Sequence, residues 1–410
     1  MALRVHKRGD DMAITEGTEI DLEIVDTAYG GRGVGRVDGM AVFVPGTLEG
    51  EHVHARVTVV RKRYAEAAFV SVSAPSPHRI VPVCPLADRC PGCVYQHIDY
   101  IEEVRLKGKQ FQALMQRIAG VQTLDVLEVV PAPASLGYRN KVVLHAGVQG
   151  ELGYFGHDNQ TILDVEQCPL AVPEINVALA ETRADGAFIK GVTAGDAVTF
   201  RWTLQDGVRR FKRGDRTGAP LVEVLPCGQL SVAETGFFQV NSAVAALLVQ
   251  EVKTIIERRR PVFVIDLYGG VGVFALTAAQ CGVSHVLGVE VNGAALRLAR
   301  TNAQRMGCRQ ATFIEGDAAI VFVDAIRQVD VRDTLVIVDP PRDGLSDALC
   351  DALAEHRPSS LLYISCAPDT LARDVKALGS SGYRMVHSRV LDMFPRTAHF
   401  ETLTLLACDA

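Results

Sequence analysis

Between Val262 and Cys366 the chain repeats one pattern, a short apolar run that closes on a polar residue. The runs are Val262 to Ile265 closing at Asp266, His285 to Val289 closing at Glu290, Leu335 to Val338 closing at Asp339, and Leu361 to Ser365 closing at Cys366. Helical spacing of apolar positions separates them. Short, nearly continuous apolar strands alternating with helices predict a parallel sheet covered on both faces, and such sheets bind ligands outside the carboxyl ends of their strands. Four polar side chains are therefore expected along one edge. Near the end of the chain, Glu401 precedes the apolar run Leu403 to Ala407, which would carry a carboxylate to the same edge.

Upstream the period changes from helix-and-strand to strand alone. From Thr18 to Val72, Ile20, Leu22 and Ile24 alternate with polar residues, Gly30 to Arg36 punctuates, and further runs follow at Met40 to Val44 and His52 to Val60, with a turn at Pro45-Gly46. About 55 residues of short strands predict a small closed barrel of the oligonucleotide-binding type. Ala74-Pro75-Ser76-Pro77 marks its end. An amphipathic helix is expected between Tyr100 and Gly120, then strands through Phe200 (Lys141 to Ala146, Gly153 to Phe155, Ile162 to Val165). Gly236 to Asn241 introduces a helix from Ser242 to Arg258 that leads into the sheet. The expected architecture is α/β: a barrel over 12–74, a central α+β domain over 75–255 and a Rossmann-like domain over 256–410.

Composition narrows the classes. No apolar run approaches the roughly 20 residues needed to span a bilayer, and Met1 to Asp11 has no apolar signal core, so the expectation is a cytoplasmic protein with no membrane partner. A net charge of −6, with 17 Lys and Arg against 17 Asp and Glu through Gly150, excludes a globally basic nucleic-acid binder. RNA contact would fall to local patches: Arg61-Lys62-Arg63, Lys107 with Lys109, and Arg209, Arg210, Lys212, Arg213 and Arg216. Any one of them is more often a solvated charged face.

Ten cysteines without a secretion signal point to thiols, metal ligation or catalysis rather than disulfides. Cys84, Cys90 and Cys93 have soft-ligand spacing among turn-forming Pro and Gly, and Cys168 shares their Cys-Pro context. Four thiolates suit an iron–sulfur cluster or tetrahedral zinc, and spacing leaves the two open.

At the sheet edge, Asp266-Leu267-Tyr268-Gly269-Gly270-Val271-Gly272 is a glycine-rich turn opening a helix. Glu290, 18 residues beyond Gly272, stands where an acidic side chain takes ribose hydroxyls. NAD would use a similar arrangement. S-adenosylmethionine fits the rest better, with Asp317 placed to accept from an adenine amino group and Asp339-Pro340-Pro341-Arg342 holding an aspartate near the transferred methyl. No P-loop lysine follows the glycines, which argues against a nucleoside triphosphate. Cys366 opens a helix, where the dipole is expected to favour its thiolate.

Asp26 to Arg36 with Phe43-Val44-Pro45-Gly46 and Gly50-Glu51 resembles the TRAM domain, an RNA-binding barrel. With the four cysteines, Phe238-Gln239-Val240-Asn241, the Asp266 turn, Asp339-Pro340-Pro341-Arg342, Ser365-Cys366-x-Pro368 and His399-x-Glu401 in order, nearly the whole chain resembles the RNA uracil-C5 methyltransferases. The resemblance implies a class I methyltransferase domain, a TRAM barrel and a central iron–sulfur domain. It implies a [4Fe-4S] cluster on Cys84, Cys90, Cys93 and Cys168, S-adenosylmethionine contacts at Gln239, Tyr268, Glu290, Asp317 and Asp339, a nucleophile at Cys366 and a base at Glu401. The expected substrate is a uridine of 23S rRNA, acted on by a monomer. Uridine 54 of tRNA is the second reading, and a non-catalytic RNA-binding iron–sulfur protein the third. Arg342 and Cys366 argue against a methyltransferase acting on an exocyclic nitrogen.

Overall fold

The structure, a computed structural model, describes residues 14–121, 127–186, 188, 191–215 and 218–408. The leader Met1 to Asp11, the first two residues of the expected barrel and Arg216 lie outside them. The chain forms two compact units. One reaches to Val81 and takes in His97–Asp99, and the other consists of Pro82–Gln96 and the chain from Tyr100 onward.

In the first unit, β1 (Glu19–Thr27), β2 (Arg32–Val37), β3 (Met40–Pro45), β4 (His52–Val60) and β5 (Tyr64–Ala74) close a barrel in the order β1-β2-β3-β5-β4. Strict alternation along β1 turns Ile20, Leu22 and Ile24 inward against Val42, Val44, Val53, Ala55 and Ala65, which is the period-two burial that a half-wet strand requires. Gly33 permits the closure, since a Cβ there would lie 2.0 Å from Thr47 Oγ1. The unit runs past the Pro/Ser joint because Arg79 is tied back to the fully buried Glu51 by two hydrogen bonds of 2.6 Å. Arg61, Lys62 and Arg63 occupy an exposed turn between β4 and β5.

The second unit begins its regular structure with α1 (Tyr100–Leu114), which continues as one π-helical turn, Met115–Ala119. Then come β6 (Leu127–Val130), β7 (Lys141–Ala146), β8 (Leu152–Phe155), β9 (Ile162–Asp164) and α2 (Pro173–Ala184). β10 (Ala197–Thr203) and β11 (Gly207–Lys212) complete a five-stranded sheet in the order β11-β10-β7-β8-β9, and β12 (Leu221–Leu225) with β13 (Gly228–Val232) forms a hairpin. α2 lies in a stretch expected to hold strands only. Its buried positions Ile175, Leu179 and Thr182 have the helical spacing, and Pro173 at the first turn suits a helix start.

After α3 (Ser242–Arg259) the chain alternates strand and helix: β14 (Phe263–Leu267), α4 (Val273–Gln280), β15 (His285–Glu290), α5 (Gly293–Arg305), β16 (Ala311–Glu315) and α6 (Ala318–Ile326). β17 (Thr334–Val338), α7 (Asp347–His356), β18 (Ser360–Ser365), α8 (Pro368–Gly379), β19 (Tyr383–Leu391) and β20 (Glu401–Cys408) follow. The sheet order is β16-β15-β14-β17-β18-β20-β19-β6. β14 to β18 are parallel, as the apolar runs predict. β20 is antiparallel to β18 and to β19, and β6 joins β19 at the far edge. Because β6 comes from the expected central segment, 75–255 and 256–410 share one compact unit. Among the described residues no helix is long and apolar enough to cross a membrane.

Candidate active site

Register determines which polar residues converge. Ile337 pairs with Asp266, Val338 with Tyr363, Ile364 with Leu403 and Ser365 with Thr402. Continued by one residue, the last pairing sets Cys366 opposite Glu401. Side chains alternate across a strand, and Val264, Ile337, Leu362, Ile364, Leu403 and Leu405 all enter the core shared with α3. Asp266, Asp339, Cys366 and Glu401 follow the same alternation. All four therefore rise from one face of the sheet at its carboxyl edge.

The environment sets their protonation. Glu401 is 2% exposed, and burial followed by the charge of Asp339 holds its carboxyl well above the usual range. Burial also raises Asp339, which directly follows β17. Asp266 is fully buried. Its Oδ2 accepts from the Ala275 N–H at 2.9 Å, whereas Oδ1 has no partner, and burial with repulsion from Asp339 and Glu290 pushes the carboxyl up to about 8. Sequence reasoning had Asp266 as a strand end only. Its unpartnered oxygen marks a place where a donor on a ligand would be accepted.

Cys366 is half-buried and precedes α8, whose first residue is Pro368. The expected lowering of its thiol by the helix dipole is not found: burial, then Glu401, raise the pKa, Arg342 opposes them, and Asp339 adds to the rise. Desolvation and two neighbouring carboxyls outweigh one guanidinium and a helix end. Arg342 had figured only as an argument against a different reaction. It is held in reach of Cys366 by α8, where Thr370 Oγ1 donates to its carbonyl at 3.1 Å and Arg373 donates to the carbonyl of Asp343 at 2.8 Å. His399, on the approach to Glu401, has a buried Nδ1 without a partner, and burial followed by Arg342 lowers its pKa.

The glycine turn lies at the neighbouring strand ends. Tyr268 takes a left-handed backbone at φ 64°, and Gly272, at φ 92°, begins α4 where a Cβ would lie 3.2 Å from the Phe313 ring. Glu290 fastens this turn, because Oε2 accepts from the Gly270 N–H at 2.9 Å and Oε1 from Asn292 N–H at 2.7 Å. Each oxygen keeps a lone pair for a hydroxyl donor. Asp317 is exposed and caps α6 through Oδ1, and its charge adds to the burial that pushes the Tyr268 phenol up to about 12. Gln239 lies just before α3. Its carbonyl accepts from Asn140 Nδ2 at 3.1 Å, and Asn241 Nδ2 reaches Met393 O at 3.3 Å in the segment leading to Glu401.

Cys84, Cys90, Cys93 and Cys168 line one small cavity with Tyr154, Val165 and Leu170. Burial raises the thiols of Cys84, Cys90 and Cys93, the last to about 12, and each would repel a thiolate at Cys168. The residues fit a cationic group that accepts hydrogen bonds through sulfur. Gln96 Nε2 already donates to Cys93 Sγ at 3.4 Å, and the buried Tyr154 hydroxyl lies beside Cys168. Among the described residues no three His, Cys, Asp or Glu close on a point as the ligands of one ion would. One expected RNA patch is lost: Lys107 is fully buried, bound to Glu103 at 2.8 Å and Asp392 at 2.7 Å. Arg209 and Arg213 are exposed, while Arg210 stacks on Phe188 at 3.7 Å.

The family model described as tRNA (Uracil-5-)-methyltransferase matches residues 229–408, and the TRAM domain model matches 14–70. An uncharacterised RNA methyltransferase of Thermosynechococcus vestitus is 32% identical, with 95% of this chain and 98% of the relative covered. One of Listeria monocytogenes is 30% identical, with 96% and 98% covered. The tRNA (uracil-54, C5)-methyltransferase of Pyrococcus abyssi, solved with S-adenosyl-L-homocysteine, superposes with a TM-score of 0.73 at 26% identity, over 94% of this chain and all of that one. A Rossmann-like sheet with these matches defines an S-adenosylmethionine-dependent methyltransferase acting on RNA. Within that class, the chain belongs to the RNA uracil-5 methyltransferase family, in its TRAM-bearing form.

Proposed function

We propose that this enzyme methylates carbon 5 of a uridine in 23S rRNA through a covalent adduct between Cys366 and carbon 6 of the base. The observation that carries the mechanism is the facing of Cys366 and Glu401 across β18 and β20, with Asp339 beside both. Carbon 5 of uracil is a poor nucleophile. Addition of the Cys366 thiolate to carbon 6 converts the ring to an enolate with electron density at carbon 5. The cofactor supplies the methyl group, on a sulfonium that makes it electrophilic. Once carbon 5 carries the methyl, Glu401 takes the remaining carbon-5 proton, the double bond re-forms and the thiolate leaves. Arg342 favours the thiolate at both ends of the cycle. Gln239, Tyr268, Glu290, Asp317 and Asp339 would hold S-adenosylmethionine, and Asp266 offers its unpartnered oxygen beneath them.

The target base has to leave any stack to reach Cys366, which favours loop uridines or locally opened RNA. Cys84, Cys90, Cys93 and Cys168 would hold a [4Fe-4S] cluster. The one cavity that the four cysteines line together supports this reading. The arrangement of barrel and four cysteines resembles that of family members that modify 23S rRNA, which supports that substrate. The likeness to the archaeal enzyme over 94% of the chain favours uridine 54 of tRNA as the second reading. Nucleoside mass mapping of both RNAs from cells lacking this gene decides between them: loss of 5-methyluridine from 23S rRNA alone is the expected result, and loss from tRNA alone contradicts it.

A further inference from the structure

The residues between β19 and β20, Asp392 to Phe400, deliver Glu401 to the sheet edge, and their carbonyls are gripped in succession by four separate parts of the unit. Asn241 Nδ2 donates to Met393 O at 3.3 Å, Lys107 Nζ to Phe394 O at 3.2 Å and the Tyr138 hydroxyl to Pro395 O at 2.9 Å. Arg396 O accepts twice, from the N–H of Val94 at 2.9 Å and that of Tyr95 at 3.1 Å. Those two amides directly follow Cys93. Arg396 is 7% exposed and holds a left-handed backbone, φ 68°, which a β-carbon disfavours. Its N–H donates to Glu103 Oε1 at 2.6 Å, its guanidinium approaches Glu103 Oε2 at 3.4 Å and Ser135 Oγ at 3.2 Å, and it lies over the Tyr100 ring at 5.4 Å.

We propose that Arg396 is a positioning residue through which the cysteine-bearing loop 84–95 aims Glu401, so that the integrity of the cysteine nest governs proton removal rather than methyl transfer. This rests on the roles proposed above for Cys366 and Glu401. Cys366 is set by β18 and α8, and Tyr268, Glu290, Asp317 and Asp339 by the ends of β14 to β17. The loop 392–400 carries none of them. Displacing it therefore moves the base and leaves the nucleophile and these four cofactor residues in place; Gln239, two residues before the Asn241 that donates to Met393 O, is the one cofactor residue linked to the loop. A misplacement of about 1 Å costs a positioned catalytic group on the order of a hundredfold.

The test uses the full chain with labelled S-adenosylmethionine and, as RNA probe, total RNA from cells lacking this gene. Two variants act from opposite sides of the contact. Arg396→Asn tolerates the left-handed backbone but removes the guanidinium, and Cys93→Ser loosens the nest. Single-turnover capture of label in a Cys366–RNA adduct should proceed at close to the wild-type rate in both, while release of methylated RNA slows about tenfold or more. Hydrogen exchange of amides 397–402 should quicken in both, with S-adenosylmethionine affinity changing far less than the release rate. Arg396→Lys, which keeps a cation against Glu103, should recover much of the release rate. Equal slowing of capture and release, or wild-type exchange at 397–402 in Cys93→Ser, overturns the proposal. Should Arg396→Asn fail to fold, the Cys93→Ser pair of readouts decides alone. A wild-type enzyme that forms no adduct at Cys366 overturns instead the assignment on which the proposal rests.

Discussion

Cys366 sits among groups that work against its ionisation, and Arg342 is the neighbour that favours its thiolate. Arg342→Leu removes the cation that favours the thiolate. The rate of Cys366 alkylation at pH 8 should fall about three- to tenfold, with its pH profile displaced upward. Glu401 can accept a proton only as the anion, and its carboxyl is raised. Release of methylated RNA should therefore keep accelerating with pH beyond the range where an ordinary glutamate has finished titrating. Asp266 gives the matching prediction for stability. A carboxyl raised on folding to about 8 contributes stability below its unfolded value near 4 and loses it as pH rises towards 8. Asp266→Asn should gain a few degrees of melting temperature at pH 8 over wild type and nothing at pH 4. Glu401, Cys366 and Asp339 were legible as strand ends because alternating apolar runs fix where a parallel sheet stops. Arg342 and the unpartnered oxygen of Asp266 were not: the first depends on how the β17–α7 loop is tied to α8, the second on how α4 packs over β14.

At the scale of elements, the turn after β14 and the end of β15 act as one piece. Glu290 ties Gly270 and Asn292 while offering its remaining lone pairs outward. Glu290→Ala should weaken S-adenosylmethionine binding by about 1.5–3 kcal/mol for each charge-assisted bond lost, measured by calorimetry. Unchanged affinity would mean that the ribose lies elsewhere. α1 was expected to present Lys107 to RNA, because charge along a helix reads as exposure unless partners are known. Its partner Asp392 is 285 residues away, and no local pattern announces it. Removing the cation with Lys107→Ala leaves two buried carboxylates facing one another, a loss on the order of 3–5 kcal/mol by denaturant titration. The same distance in sequence hides β6, four residues long, whose place beside β19 is set by tertiary pairing alone. α2 was hidden differently: it falls in a stretch from which only strands were expected, although its buried residues keep a helical period.

For the whole molecule, the barrel and the Rossmann-like sheet were readable because each has a period of its own, while the middle of the chain contributes a strand to a sheet it precedes by more than a hundred residues. Within the second unit, the amides of Val94 and Tyr95, next to Cys93, bond to Arg396 O in the loop 392–400, which leads to Glu401 at the edge opposite Cys366. Anaerobically purified protein should contain iron and acid-labile sulfide in about equal amounts, as expected for a thiolate-held cluster, and stoichiometric zinc without sulfide would contradict the ligand reading. The central claim is a division of labour, with Cys366 opening the reaction and Glu401 closing it. The most direct measurement is denaturing electrophoresis of Glu401→Gln after incubation with RNA and labelled S-adenosylmethionine, followed by mass mapping of the attachment site. A denaturation-resistant protein–RNA band that carries label, maps to Cys366 and disappears in Cys366→Ala is the predicted result, whereas wild-type turnover by Glu401→Gln or attachment at another cysteine would contradict it.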